Sequence, residues 1–215
     1  MGCKSSKPKQ SEKILKIRPQ EKDIKKTLEA KVVLLGDANV GKSSIAQRFC
    51  KNVFSNKHIA TIGGAYLQQR VVLDNGEVMK LHLWDTGGAE RFRSIANLYY
   101  KEAAVAILTY DVTNEQSLES LEYWIEELKT KADNDILLCL AGNKVDVPSN
   151  EIKVSHSKAK KFAQENKMIF YETSARLGTG VVELFTDIAK KLYEIKNSTN
   201  NKRYINIYYV YYVRN

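Results

Sequence analysis

Proline and cysteine are scarce in this chain, with three of each in 215 residues. No proline- or glycine-rich run stands out and no internal repeat is visible, which argues against linker-like or solenoid architectures. Cys3, Cys50 and Cys139 are too few and too scattered for a disulfide framework, as suits a reducing cytosol. Cys50 and Cys139 lie in apolar runs and read as buried core thiols. No apolar stretch approaches the roughly 18 residues that a membrane-spanning helix needs. Histidine is equally sparse. His58 reads as a solvated loop residue, and neither His82 nor His156 has a cysteine or acidic cluster at ligand spacing, so no zinc-type site is expected.

What is present suffices for a packed core. Apolar residues make up 43% of the chain, room for one α/β domain of about 160–170 residues and two tails. The net charge of +9 is unevenly placed: residues 1–26 carry nine lysines or arginines against three acids. Such a tail can serve nucleic acid, an anionic membrane or solubility, and composition alone does not choose. Residues 1–28 are polar and lysine-rich without a periodic apolar face, and read as a flexible arm.

Residues 30–36 form a short apolar run, the pattern of a strand buried on both faces. A helix is expected from Lys42 to about Lys51, then strands over 67–73 and 78–85 joined at Asp74-Asn75-Gly76, where Asn and Gly tolerate the positive φ of a hairpin turn. Further strands are expected at Ala104–Thr109, Ile136–Ala141 and Met168–Tyr171. Helical patterns fill 115–132, 156–166 and 181–196, the last with Leu184, Phe185, Ile188, Ala189 and Leu192 on one stripe. Strands alternating with helices imply a mostly parallel sheet covered on both faces. Beyond 196 the chain reads as a tail, residues 197–215, expected to be disordered. Its tyrosine-rich, β-prone stretch Ile205–Val213 is expected to be a frayed, aggregation-prone extension.

Three motifs carry chemistry. Gly36-Asp37-Ala38-Asn39-Val40-Gly41-Lys42-Ser43, followed by Ser44, matches G-x₄-G-K-[ST] between a buried strand and a helix. Its backbone N–H groups and the helix N-terminus suit a phosphate chain, Lys42 can reach the β- and γ-phosphates, and the Ser43 hydroxyl can ligate Mg²⁺. Trp84-Asp85-Thr86-Gly87-Gly88 ends a strand on the same sheet edge. Asp85 can hold Mg²⁺ through water, and Gly88 can bring its N–H to a γ-phosphate. Asn143-Lys144-Val145-Asp146 is the base-reading signal. A carboxylate at Asp146 can accept from guanine N1 and its 2-amino group, donors that adenine does not offer in that arrangement, so the pairing selects GTP over ATP. The Lys144 stem can cover the base. Ser174-Ala175-Arg176, after the last strand, can place the Ala175 N–H on the guanine O6.

From about residue 29 to 196 the chain resembles a small GTPase of the Ras superfamily, and within it a Rab. The stretches Ile62-Gly63-Gly64-Ala65-Tyr66, Arg91-Phe92-Arg93, Tyr99-Tyr100-Lys101-Glu102-Ala103 and Leu108-Thr109-Tyr110-Asp111-Val112-Thr113 resemble those that mark Rabs. Thr61-Ile62-Gly63 followed by Ala65 and an aromatic, with Tyr110-Asp111-Val112-Thr113-Asn114-Glu115 and Glu172-Thr173-Ser174-Ala175, is most similar to the early-endosomal subgroup. The resemblance implies a P-loop G domain, a six-stranded, mostly parallel sheet with one antiparallel strand and helices on both faces. It further implies bound GTP or GDP with Mg²⁺, Phe54 beside the guanine, and Thr61 meeting Mg²⁺ and the γ-phosphate. Tyr66, Trp84 and Tyr99 would form the surface that effectors read. The implied partners are an exchange factor, a GTPase-activating protein and effectors, with no nucleic acid and a monomeric G domain.

Two departures matter. The family's second-switch motif is Asp-Thr-Ala-Gly-Gln-Glu, whereas this chain has Asp85-Thr86-Gly87-Gly88-Ala89-Glu90. Ala89 replaces the glutamine that orients the attacking water, so binding should survive while hydrolysis slows. A GTP-loaded scaffold with negligible turnover is the alternative reading. Rabs also normally end in prenylated cysteines, but the last cysteine here is Cys139. Instead, Met1-Gly2-Cys3-Lys4-Ser5-Ser6 matches the N-myristoylation pattern, with Cys3 as a palmitoylation site. The chain resembles atypical early-endosomal Rabs of plants and protists that swap anchors in this way. That places it on the cytoplasmic face of endosomal, vesicular or plasma membranes.

Overall fold

A computed structural model describes residues 24–56, 60–88, 96–132, 136–198 and 207–213; residues 24–26, 96–97 and 207–213 are described as backbone alone. Gly2, Cys3, His58, Ala89, Glu90 and the Arg91-Phe92-Arg93 stretch lie outside the described residues.

Seven strands form one sheet: β1 (Ile24–Leu35), β2 (Gly64–Val72), β3 (Val78–Thr86), β4 (Val105–Asp111), β5 (Leu137–Asn143), β6 (Ile169–Thr173) and β7 (Ile207–Val213). Six follow the order β2-β3-β1-β4-β5-β6, in which β2 is antiparallel to β3 and every other pair is parallel. The helices are α1 (Lys42–Lys51), α2 (Ala96–Tyr100), α3 (Glu115–Glu119), α4 (Leu121–Lys131), α5 (His156–Glu165) and α6 (Val181–Asn197).

The apolar run of β1 explains its central position. Val32 and Leu34 pack into one core cluster while Val33 and Leu35 pack into the other, so both faces of the strand are buried. The first cluster receives Ile45 and Ala46 of α1 and the stripe Leu184, Phe185, Ile188, Ala189 and Leu192 of α6. Phe49 stacks on Phe185 at 3.9 Å between ring centroids. The second cluster receives Leu118, Leu121, Trp124, Ile125 and Leu128 from α3 and α4 and Ala159 and Ala163 from α5. Each fully buried large side chain contributes about 1.5–3 kcal/mol. Cys139 is buried, whereas Cys50 lies only partly within the core. The β2–β3 turn forms as its sequence suggests: the Gly76 N–H donates to Leu73 O at 2.8 Å, and Asn75 Oδ1 accepts from the Glu77 N–H at 3.0 Å.

The ends differ from expectation. β1 starts at Ile24, inside the stretch read as a flexible arm, and α6 extends to Asn197. Part of the tail expected to be disordered is strand β7, paired antiparallel with residues 24–30 of β1. The reason is geometric. β4 joins β1 only from Val32 onward, and the earlier half of that edge would otherwise leave backbone donors and acceptors without sheet partners. The helix expected over 115–132 is divided at Ser120, whose Oγ donates to Asp37 Oδ2 at 2.7 Å.

Candidate functional site

The parallel strands β1, β5 and β6 end at one edge of the sheet, where their loops, the segment before β2 and the end of β3 enclose a cleft of about 450 Å³. That is within the usual range for a small-molecule site. Its walls include Ala38, Asn39, Gly41, Lys42, Ser43 and Ser44 from the β1–α1 turn, with Phe54, Thr61 and Gly88. Asn143, Lys144, Asp146, Ala175 and Arg176 form the other end. Asp37, Val40, Asp85 and Ser174, also expected here, do not line the cleft but bond the lining residues Lys42, Asn143, Ser43 and Asp146, respectively.

At the phosphate-loop end, Gly41 has φ +100°, and a Cβ there would lie 2.2 Å from Asn143 Nδ2, so only glycine fits. Lys42 is buried, its ammonium donating to Gly36 O at 2.8 Å and Asp37 O at 2.7 Å. Burial lowers its pKa to about 8, against the opposing pull of Asp85 and Asp37. Gly88 is pressed against the same loop: a Cβ would meet Asp37 O at 2.4 Å and Ala38 N at 2.5 Å. Any side chain there would force the strand-end turn away from the loop.

The donor set fits a hard divalent cation. Asp85 is 2% exposed, and its Oδ1 has no hydrogen-bond partner among the described residues. Burial raises its pKa, opposed by a hydrogen bond with Ser43 and by the Lys42 charge. The Ser43 and Thr61 hydroxyls lie 2.7 Å apart. Two hydroxyls and one unsatisfied carboxylate oxygen offer oxygen donors alone, the chemistry that suits Mg²⁺. No cluster of three or more His, Cys, Asp or Glu side chains able to hold a metal occurs among the described residues.

At the other end, Asn143 ties the two halves together. Its Nδ2 donates to Val40 O at 2.9 Å, and its Oδ1 accepts from the Ala175 N–H at 3.1 Å and from Thr173 Oγ1 at 3.3 Å. The expected free Ala175 amide therefore already has an intramolecular partner, and a base oxygen would have to share it. Asp146 accepts from Ser174 Oγ at 2.6 Å and lies 3.8 Å from Arg176 Nη1, which orients its carboxylate. Lys144 has φ +71°, and its ammonium pairs with Asp111 Oδ2 at 2.5 Å, drawing its stem along the cleft wall.

Sequence reasoning missed Arg48, whose Nε and Nη2 donate to the carbonyls of Ala175 at 2.8 Å and Arg176 at 2.7 Å. No local signal marks these two bonds, because both partners lie more than a hundred residues away. Tyr66, Trp84 and Tyr99 do come together: Trp84 lies 5.5 Å from Tyr66 and 6.1 Å from Tyr99 between ring centroids.

The family model described as "Ras family" matches residues 31–194. Over 198 residues the chain is 42% identical to the Ras-related protein Rab-5B of Plasmodium falciparum (isolate 3D7), spanning 90% of this chain and 94% of that one. It is 45% identical over 166 residues to the GTP-binding protein ypt5 of Schizosaccharomyces pombe, spanning 77% and 79%. With the Ras-related protein RABF2a of Arabidopsis thaliana it shares 41% over 175 residues, spanning 81% and 86%. Together with a phosphate-loop cleft at the strand ends of a Ras-like sheet, these matches show that the chain belongs to the Ras family, as a GTP-hydrolysing member of its Rab branch in the early-endosomal subgroup.

Proposed function

We propose that this chain is a GTP/GDP-operated regulator of vesicle and endosomal trafficking that recruits effector proteins in its GTP state and hydrolyses GTP slowly. The observation that carries the reading is the Asn143 side chain, bonded at once to the phosphate loop at Val40 and to the Ala175 amide beside Asp146. One side chain thus sets the distance between a phosphate-holding and a base-reading element.

In this reading Lys42 transfers its donors from the loop carbonyls to the β- and γ-phosphates, and the close seat of Gly88 brings its amide toward the γ-phosphate. Asp146 reads guanine, with Lys144 and Phe54 beside the base. Mg²⁺ would be held by Ser43, Thr61 and, through water, Asp85, and when bound it neutralises charge on the β- and γ-phosphate oxygens. Ala89 presents a methyl group that can neither accept from nor donate to the attacking water, which supports slow turnover. It also favours the second reading, a GTP-loaded effector-binding scaffold. The start Met1-Gly2-Cys3 with its basic arm supports anchoring by acyl chains on the cytoplasmic face of an endosomal, vesicular or plasma membrane. An exchange factor, an activating protein and effectors are the implied partners.

The test is nucleotide selectivity. Asp146→Asn replaces two acceptors by a mixed donor and acceptor, and should weaken GTP by roughly 1.5–3 kcal/mol while xanthine nucleotides gain. Equal GTP affinity of variant and parent in a fluorescent-nucleotide titration would contradict the assigned role.

A further inference from the structure

On the face of the sheet that carries Trp84, three side chains from three strands form a continuous chain of hydrogen bonds. Glu29 Oε2 of β1 lies 2.7 Å from His82 Nε2 of β3, and His82 Nδ1 lies 2.5 Å from the Tyr66 hydroxyl of β2. The Tyr66 hydroxyl is also 3.1 Å from Gln68 Oε1. Glu29 and His82 are largely buried, with side chains 12% and 22% exposed, while Tyr66 is 50% exposed. A carboxylate, an imidazole and a phenol in line have two fully bonded states. With neutral His82, Nε2–H donates to Glu29 and Nδ1 accepts the phenol proton. With protonated His82, both ring nitrogens donate, the Tyr66 oxygen accepts, and its proton is released toward Gln68 or toward an acceptor on a partner.

We propose that Glu29 and His82 are positioning residues for Tyr66, and that protonation of His82 turns this face toward a partner presenting a carboxylate above the Tyr66 hydroxyl. This rests on the effector-surface reading of Tyr66, Trp84 and Tyr99. The surrounding charges agree with an acidic partner. Lys80 of β3 lies 3.6 Å from Glu29, Lys31 of β1 stands 5.0 Å over the Trp84 ring, and Arg70 of β2 is exposed two positions beyond Gln68. Against these stand Glu29 and, acting on Lys31 from the turn after α2, Glu102. The face is basic with His82 neutral and gains a further charge when His82 takes a proton. A partner carboxylate and the imidazolium each favour the other, so binding and protonation are coupled.

The experiment uses the full chain loaded with a non-hydrolysable GTP analogue. Nitrogen NMR of the His82 ring across neutral pH should find the proton of the neutral form on Nε2. Glu29→Gln gives Nε2 a partner that can donate as well as accept, so the neutral ring's proton should become divided between Nε2 and Nδ1. A merely structural Glu29 would change stability and leave this tautomer pattern alone. Two synthetic peptides, identical except that glutamates in one are glutamines in the other, then probe recognition. The glutamate peptide should bind severalfold more tightly at about pH 6 than at about pH 8, and the glutamine peptide should not distinguish the two. That pH dependence should vanish in His82→Gln and in Tyr66→Phe, which keeps the ring beside Trp84. Persistence of the dependence in His82→Gln, an unchanged tautomer pattern in Glu29→Gln, or failure of both peptides to bind overturns the proposal. Each of these leaves nucleotide binding intact, whereas failure of the GTPase-switch reading would show as absent guanine selectivity.

Discussion

The hydroxyls of Ser43 and Thr61 meet at 2.7 Å although eighteen residues separate them. Ser43 lies in the first turn of α1 and Thr61 precedes β2, so this bond ties the segment before β2 to the phosphate end of the cleft. Ser43 also hydrogen-bonds Asp85, whose buried Oδ1 has no partner among the described residues, and in the proposed reading these three groups hold Mg²⁺. Thr61→Ala should therefore weaken Mg²⁺ binding in the GTP state by at least about tenfold, the loss of one ligand to a charged centre. Titration with Mg²⁺ of the GTP-loaded protein checks this, and guanine selectivity should stay as it was.

Lys42 leads to a prediction about protons. Burial brings its pKa down to about 8 before an anion arrives. A phosphate chain favours the ammonium, so nucleotide binding near pH 8 should take up about half a proton, and below about pH 6 almost none. Affinity should accordingly fall as pH rises through 8. The stability of the nucleotide-free fold has the opposite sign: the unfolded chain holds the Lys42 proton up to about 10.4, so this contribution improves as pH rises from about 8 toward that value. Calorimetry in buffers of different ionisation enthalpy measures the uptake, and Lys42→Met should abolish it.

Ala89→Gln should speed hydrolysis while leaving GTP affinity close to the parent's. Water-orienting groups are worth about 10²–10⁴ in rate, and an activating protein should enlarge the difference. Single-turnover assays on both proteins decide it. Identical rates with and without the activator would mean that the glutamine has no role here and would favour neither reading of Ala89.

Much of this molecule could be read along the chain because the evidence was local. The phosphate loop, the Asp74-Asn75-Gly76 turn and the α6 stripe each lie within a few residues, and each stands where expected. The six-stranded, mostly parallel sheet with its one antiparallel strand follows the family resemblance. What escaped reading depends on partners far apart in sequence. Nothing near Ile24 announces that it will pair with Val213, nor does anything near His82 point to Glu29, 53 residues away. Arg48 is hidden in the same way. Its neighbours suggest a solvated helix position, while its guanidinium holds the loop after β6.

Membrane attachment should depend on the first residues. A single myristoyl chain binds membranes only reversibly, with an association constant near about 10⁴ M⁻¹, so a second signal is required. Cys3 and the lysines from Lys4 to Lys16 offer two. Gly2→Ala should abolish attachment, and Cys3→Ser should leave a weak pool that high salt releases, since each basic residue near an anionic leaflet contributes about 1 kcal/mol that salt screens. Deleting residues 197–215 should leave the protein in the membrane fraction. The ordering fails if Gly2→Ala remains in the pellet while the deletion becomes soluble.

The pairing of β7 with β1 gives the fold an almost circular backbone path. Ile24 and Val213 are register partners, which in an antiparallel ladder puts their Cα atoms about 4.5–5.5 Å apart. A short linker between those positions would close the ring with little loop-closure cost. New ends could then open at the exposed Asn75-Gly76 turn, where nothing lies within 4 Å of a Cβ built on Gly76. A circular permutant of that design would keep every strand order intact and carry its termini at the hairpin, leaving the nucleotide cleft untouched.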